Sequence, residues 1–454
     1  MKRIILLRLL LPIAALAQEI ELPLSYPYTY DYDITAGDNR LMIQSYSPMQ
    51  HQAYFQGIDT AGVQIINCAI PFKSFDVLTT SFHGDQFVCY LARENKKDIA
   101  VDVLVIDSEG KNDIIEEVLL IDSSKEKIIS SSQADGKDYL MTVGEEGKQM
   151  KVYWLNKETI PEHQIYNIQS DRLAEAIFKD GIQPFTNKTK IPTPVKSYGS
   201  NKLYQHAGYW YFTSDVASQN GYHYSLVERV PVIGGKSESL VCRTQTSPFS
   251  QQSSFIVEDM LYKAAVDRKG FTIYSFSLRE EAKLKDSVMF LPKQPFENKA
   301  MFTEKYLKKK ILDITLLSHY NKKVTRQYAI GQPTVLVNIL QDSTLVVHAG
   351  TFYRDEVGLF GGPDLFTGMI VLVVTTAVKQ ASVNGIQRYF SICLDQHLRS
   401  KPYQEDEVSE ADRITADLLN EHKKLSYVHY AHFAGRSYVV YRPRKKPILR
   451  LHPY

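Results

Sequence analysis

Apolar residues along this chain recur in short extended runs, each ended by a tight turn carrying Gly or Asp and followed by a second run that opens on aromatic or branched residues. Seven such turns are legible. Gly37-Asp38-Asn39 precedes Leu41-Met42-Ile43, His83-Gly84-Asp85 precedes Phe87-Val88, Asp135-Gly136-Lys137 precedes Tyr139-Leu140-Met141, and His206-Ala207-Gly208 precedes Tyr209-Trp210-Tyr211. Glu258-Asp259 precedes Leu261-Tyr262, Gln341-Asp342-Ser343 precedes Leu345-Val346-Val347, and Gly435-Arg436 precedes Tyr438-Val439-Val440. Gly and Asp suit these places because hairpin turns need positive φ or a short side chain that bonds the local backbone.

Several units continue into a second hairpin reading Asp-x-x-Gly, at Asp59 to Gly62, Asp107 to Gly110 and Asp267 to Gly270, with Gly144 to Gly147 as a variant. The flanking segments alternate residue by residue, as in Val101-Asp102-Val103-Leu104-Val105. Each unit therefore predicts a four-stranded antiparallel meander. Such a sheet cannot cover both of its faces alone, and repeated sheets stacked around an axis leave only short protected edges. The chain resembles the β-propeller architecture in general. No Trp-Asp or Kelch-type signature ties it to a named family. The expectation is all-β: one propeller domain over residues 18–454, with seven four-stranded blades, six or eight being open, and a large β-sandwich as the alternative.

Three excursions interrupt the units, near 170–195, 280–330 and 350–425. Ser170 to Asp180 predicts a short helix with Ser170 as N-cap and Gly181 past its end. Ala300 to Leu312 predicts a second. Val408, Ala411, Ile414, Thr415 and Leu418 repeat at helical spacing within Glu405 to Lys424. At the end of the chain, Tyr427 to Phe433, Ser437 to Tyr441 and Pro447 to Tyr454 leave room for three strands, and Leu22 to Tyr30 is free to supply the fourth. That pairing would close a ring.

Met1-Lys2-Arg3, an apolar run interrupted by Arg8 and Pro12, and Ala15-Leu16-Ala17 ahead of Gln18 read as a signal peptide over residues 1–17, cleaved after Ala17. The run is too short for a membrane span of about 20 residues, as is Met369 to Val374. The expected location is periplasmic or extracellular, in a Gram-negative bacterium. A formal net charge of +2 with both signs interspersed argues against nucleic acid. The basic run Arg442 to Lys446 is local and reads as a solvated edge. Cys68, Cys89, Cys242 and Cys393 lie in apolar segments and read as buried thiols, with a Cys68–Cys89 bridge as the alternative. Their spacing fits no zinc site.

No catalytic signature is present among the common motifs. His429 and His432 are three apart, which on a strand sends them to opposite faces. His83 and His206 occupy equivalent turns and so belong at one end of a propeller. Arg354, Asp355 and Glu356 open a long loop that also carries Phe360, Asp364 and Phe366, a composition suited to partner contact. The function expected is non-catalytic binding of a protein or surface polymer, including an outer-membrane protein, with neither metal nor cofactor. The alternative is a hydrolase or lyase acting on carbohydrate or peptide at an axial pocket, with Asp38, Asp85, Asp135, Glu258 and Asp259 as candidates.

Overall fold

The computed structural model describes residues 19–454 except 25–31, 48–49, 72–75, 95–96, 135, 145–146, 158–160, 186–198, 217–220, 246–250, 267–270, 291–300, 306–307, 313–331, 355–384, 403, 423–424 and 444–445. Within them the strands make seven sheets. The first holds β2 to β5 (Tyr32–Ala36, Arg40–Ser47, Gln52–Asp59, Gln64–Pro71), and β1 (Ile20–Pro23) belongs elsewhere. The second holds β6 to β9 (Asp76–His83, Gln86–Glu94, Asp98–Ile106, Asn112–Asp122), and the third β10 to β13 (Glu126–Ala134, Lys137–Gly144, Gln149–Trp154, Glu162–Asn167). In the fourth, β15 to β18 (Asn201–His206, Tyr209–Val216, Tyr222–Pro231, Glu238–Gln245) are joined by β14 (Gln183–Phe185), which pairs parallel to β15. The fifth holds β19 to β22 (Gln251–Val257, Met260–Val266, Phe271–Ser277, Lys283–Phe290).

The sixth sheet breaks the chain order. Its inner strands are β25 (Gln332–Ile339), β26 (Leu345–Arg354) and β27 (Gly385–Leu394), while its outer two, β23 (Met301–Lys305) and β24 (Lys308–Leu312), come from upstream. Here the expected helix from Ala300 to Leu312 is corrected: the segment is a hairpin whose first strand pairs with β27, Met301 opposite Phe390. Three consecutive lysines leave a helix there with too thin an apolar stripe to pack, whereas an edge hairpin needs none.

The seventh sheet ties the ends together. Its order is β1, β30 (Ile448–Pro453), β29 (Arg436–Pro443), β28 (Leu425–Phe433). The closing strand is Ile20–Pro23, which takes in the start of the expected stretch, with Ile20 opposite Leu451 and Leu22 opposite Leu449, while residues 25–30 of that stretch lie outside the described residues. Leu22, Leu449 and Leu451 are fully buried. Each such burial contributes about 1.5–3 kcal/mol.

What makes the seven sheets a propeller is where their cores lie. One apolar cluster joins the seventh and first sheets through Phe433 and Leu41, another the first and second through Phe55 and Phe87. The next two join second to third through Val88 and Leu140, and third to fourth through Tyr139 and Trp210. A fifth runs from Tyr211 in the fourth through Leu261 in the fifth to Val347 in the sixth, with Tyr430 and Tyr454 of the seventh packed against it. Each sheet is thus covered on both sides by its neighbours around a closed circuit, and a two-layer sandwich is excluded.

This stacking accounts for the sequence pattern. Second strands, such as Phe87 to Leu91 in β7, are continuous apolar runs because they lie mid-sheet with a neighbour on both faces. Outermost strands alternate, as in β18, where Leu240 and Cys242 are buried between exposed neighbours. Asp59 and Asp107 cap third-to-fourth-strand turns, each accepting from backbone amides two and four residues on. Gly144 to Gly147 is different: it joins the second and third strands of its sheet. Asp267 to Gly270 lies outside the described residues.

Helix α1 (Asp171–Asp180) starts at Ser170, whose hydroxyl accepts from the Leu173 amide, and ends at Gly181 with φ 72°. Helix α2 (Glu407–His422) lays Ala411, Ile414 and Leu418 on Val439 and Tyr441 of the last sheet. The four cysteines are free thiols. Among the described residues no helix is long and apolar enough to cross a membrane.

Candidate functional site

Strand polarity divides the candidate residues between the two ends of the ring. The first strand of every blade runs the same way along the axis, so the first-to-second turns gather at one end, which takes in His83, His206, Asp38, Asp85, Glu258 and Asp259. Arg354 closes β26, a second strand, opposite Gly385 at the start of β27, and so belongs to the other end. Asp355, Glu356, Phe360, Asp364, Phe366 and Asp135 lie outside the described residues. Of the described candidates, Arg354 and the two histidines therefore lie at opposite ends of the ring.

At the turn end, basic and acidic groups meet across the seams between blades. On β6 the two-residue repeat puts Ser81 and His83 on one face, toward the third sheet, where Asp138 is the second residue of β11. Ser81 Oγ donates to Asp138 Oδ2 at 2.5 Å, and His83 Nε2 lies 2.7 Å from the same oxygen. Asp138 is completely buried, and its Oδ1 has no hydrogen-bond partner among the described residues. The His83 side chain keeps 34% of its exposure. Burial, helped by the Asp138 charge, pushes the Tyr90 hydroxyl up, and burial likewise raises the Cys89 thiol, with the charges of Asp33 and Asp138 adding to it. The contact with a buried carboxyl oxygen fixes the orientation of the His83 ring, whose other edge stays open to solvent.

The equivalent seam between the fourth and fifth sheets is built differently. His206 Nε2 is 4.0 Å from Asp259 Oδ2, and that carboxylate is bound instead by Tyr211, whose hydroxyl donates to Oδ1 at 2.6 Å, and by Arg279, whose Nε donates to Oδ2 at 2.6 Å. Burial would raise the Asp259 carboxyl, but the bonds from Tyr211 and Arg279 and the Arg279 charge outweigh it and hold it below the usual range. A third seam joins Arg40 of the first sheet to Asp85 of the second, at 2.8 Å to both its carboxylate and its carbonyl.

A Ser–His–Asp array that sequence reasoning missed lies in the sixth blade. His348 Nδ1 is 2.7 Å from Ser391 Oγ, and Nε2 is 2.7 Å from Asp406 Oδ2, which also accepts from Asn338 Nδ2. The order of groups is that of a nucleophilic triad. Ser391 and His348 are 0% exposed and Asp406 5%, so the hydroxyl is closed to substrate. The Asp406 carbonyl accepts the first helical bond of α2, from Glu410. The array therefore pins the start of that helix to the sixth blade. Nothing in the spacing of residues 348, 391 and 406 announces it.

His429 and His432 sit on β28 and are spent separately. His429 stacks on the Tyr427 ring with 6.1 Å between centroids, and His432 Nδ1 is 3.1 Å from Ser437 Oγ. Among the described residues no group of three or more His, Cys, Asp or Glu side chains could hold a metal ion.

No family model matches this chain, and no curated protein matches it either. Among solved structures it is similar to a subtype N10 neuraminidase-like protein of A/little yellow-shouldered bat/Guatemala/060/2010, 9% identical over 85% of this chain and 98% of that one, with a TM-score of 0.32. The WD40 domain of Toxoplasma gondii coronin is 10% identical over 87% of each chain, with a TM-score of 0.32. A prolyl endopeptidase is 10% identical over 72% of this chain, which spans 46% of that one, with a TM-score of 0.30. At these scores the likenesses carry no argument about activity, and the propeller rests on the chain's own sheet order and cores.

Proposed function

We propose that this protein is an exported, non-catalytic propeller that binds another protein or a surface polymer of the cell envelope, an outer-membrane protein included, through loops at the end where Arg354 lies. The observation that carries the reading is the use made of the opposite end: Asp85 and Asp138 are each engaged by a basic group, and Asp259 by the Tyr211 hydroxyl, from the preceding blade, so that end works as a fastening. Recognition then falls to the end where Arg354 and Gly385 lie. Tyr is abundant, at 29 residues, and supplies contact area that buries a ring while keeping a polar tip wet. Location in the periplasm or outside the cell follows from the signal peptide read in residues 1–17.

Replacing residues 359–365 by a Gly/Ser linker tests this. Affinity purification from solubilised membranes should recover a specific partner with the parent protein and lose it with the linker variant, while the melting temperature stays within about 2 °C. Equal recovery by both proteins overturns the reading.

One observation favours a hydrolase or lyase acting on carbohydrate or peptide instead: a half-exposed imidazole oriented by a buried carboxylate at His83 and Asp138. In that case His83→Ala abolishes turnover of a glycan or peptide substrate that the parent protein cleaves. In the binding reading the parent protein cleaves neither.

A further inference from the structure

The seam between the fourth and fifth blades contains two lysines that cross it in opposite directions. Lys202, on β15, reaches into the fifth sheet, where its Nζ donates to Ser253 Oγ at 2.9 Å and to the Ser254 carbonyl at 2.5 Å. Lys263, on β20, reaches back into the fourth, donating to the carbonyls of His223 at 3.1 Å and Cys242 at 3.4 Å. Between them stands Asp215, at the end of β16. Its Oδ1 accepts from Ser225 Oγ at 2.6 Å, its Oδ2 accepts from the Ser254 amide at 2.7 Å, and Oδ2 is 3.8 Å from Lys202 Nζ. Both lysines are 0% exposed, and the Asp215 side chain is 5% exposed.

With both ammonium groups protonated, this sealed seam has two cations against one carboxylate. Carbonyl oxygens satisfy ammonium protons but do not cancel a charge, and an unbalanced buried charge is costly. Burial pulls both lysines down to about 8, with the Asp215 charge opposing it, so at neutral pH the protonated pair and its excess charge persist.

A second observation points to what balances it. Ser254 is 1% exposed, and its Oγ has no hydrogen-bond partner among the described residues. The register places Ser254 directly opposite Lys263, with both side chains on one face of the sheet. A buried hydroxyl left unmatched in a well-packed seam calls for an unseen water or ion. Beside an ammonium group in charge excess, a species that only accepts hydrogen bonds answers both needs.

We propose that this seam binds a small inorganic anion of the halide class, held by Lys263 Nζ and Ser254 Oγ, with Lys202 and Asp215 forming the matched pair beside it. The bound ion makes the junction of the two blades dependent on halide and, because it requires the protonated lysine, on pH. No bond is made or broken.

Denaturant unfolding of the full chain at pH 7, with sodium bromide exchanged for sodium methanesulfonate at fixed ionic strength, tests the site. Bromide at ten times its dissociation constant should raise the folded-to-unfolded ratio about tenfold. The gain should fade as the pH is taken above 9. Lys263→Met should remove the bromide dependence, and Ser254→Ala, which leaves the lysines in place, should weaken it several-fold. Crystals grown in bromide should show an anomalous peak between Lys263 and Ser254. Absence of a bromide effect in the parent protein, the same effect in both variants, or a seam without that peak overturns the proposal; a lysine that balances the seam by giving up its proton would produce the first.

Discussion

His83 and Asp138 come from neighbouring blades, 55 residues apart in sequence, and meet at 2.7 Å with Ser81 donating to the same carboxylate oxygen. The two contacts are unequal. Ser81 is buried and its hydroxyl donates to no other acceptor among the described residues, while His83 can turn to water. Asp138→Ala should therefore destabilise the protein by about 2 kcal/mol, chiefly by orphaning the Ser81 hydroxyl. His83→Ala should cost less than about 1 kcal/mol, as for other partly exposed pairs. Urea unfolding of the two variants measures the difference, and equal losses would contradict the assignment.

In halide-free buffer, stability should rise between about pH 8 and pH 9. Lys202 and Lys263 lose their protons near 8 in the folded chain, because burial penalises the charged form, but near 10.5 in the unfolded one. Over that window the unfolded state holds more protons, so raising the pH favours folding. Above about pH 9 the sign reverses, because burial raises the thiols of Cys68, Cys89, Cys242 and Cys393 and the unfolded chain loses those protons first. Tyr32, Tyr153, Tyr166 and Tyr262 are pushed up to about 12 by burial, so the unfolded chain ionises first. Urea midpoints from pH 7.5 to pH 11 should peak near 9, and a monotonic fall from pH 8 would contradict this.

Ser391 should be inert as a nucleophile despite its partners. A fluorophosphonate reagent applied to the native protein should leave it unlabelled, since the hydroxyl is sealed beneath the sixth blade. Ser391→Ala should cost about 1–2 kcal/mol, because it removes a partner of a buried imidazole. Peptide mapping after labelling decides the first point, and a tagged Ser391 would reopen the array as a catalytic site.

The repeat was legible because second strands are buried on both faces and therefore read as unbroken apolar runs, as at Phe87 to Leu91 and Tyr139 to Met141. Helix α1 was legible from its two ends, Ser170 and Gly181. The sixth blade was not, because its outer strands precede its inner ones in the chain, and no local pattern records that exchange. Asp138, Lys202 and Lys263 were hidden for a related reason. A polar residue inside an apolar strand looks like an ordinary alternation to the wet face, until the neighbouring blade supplies its partner.

The account depends most on a ring closed by strands from both ends of the chain, with Leu22 opposite Leu449 and Ile20 opposite Leu451. Ending the chain at Pro447 removes β30, which joins β1 to β29, and uncovers Leu22. Loss of Leu449 and Leu451 alone takes away about 3–6 kcal/mol of burial. The thermal midpoint of the whole protein should fall by at least about 5 °C in one cooperative transition. A truncated chain that melts at the parent temperature would show that the ring is not closed this way.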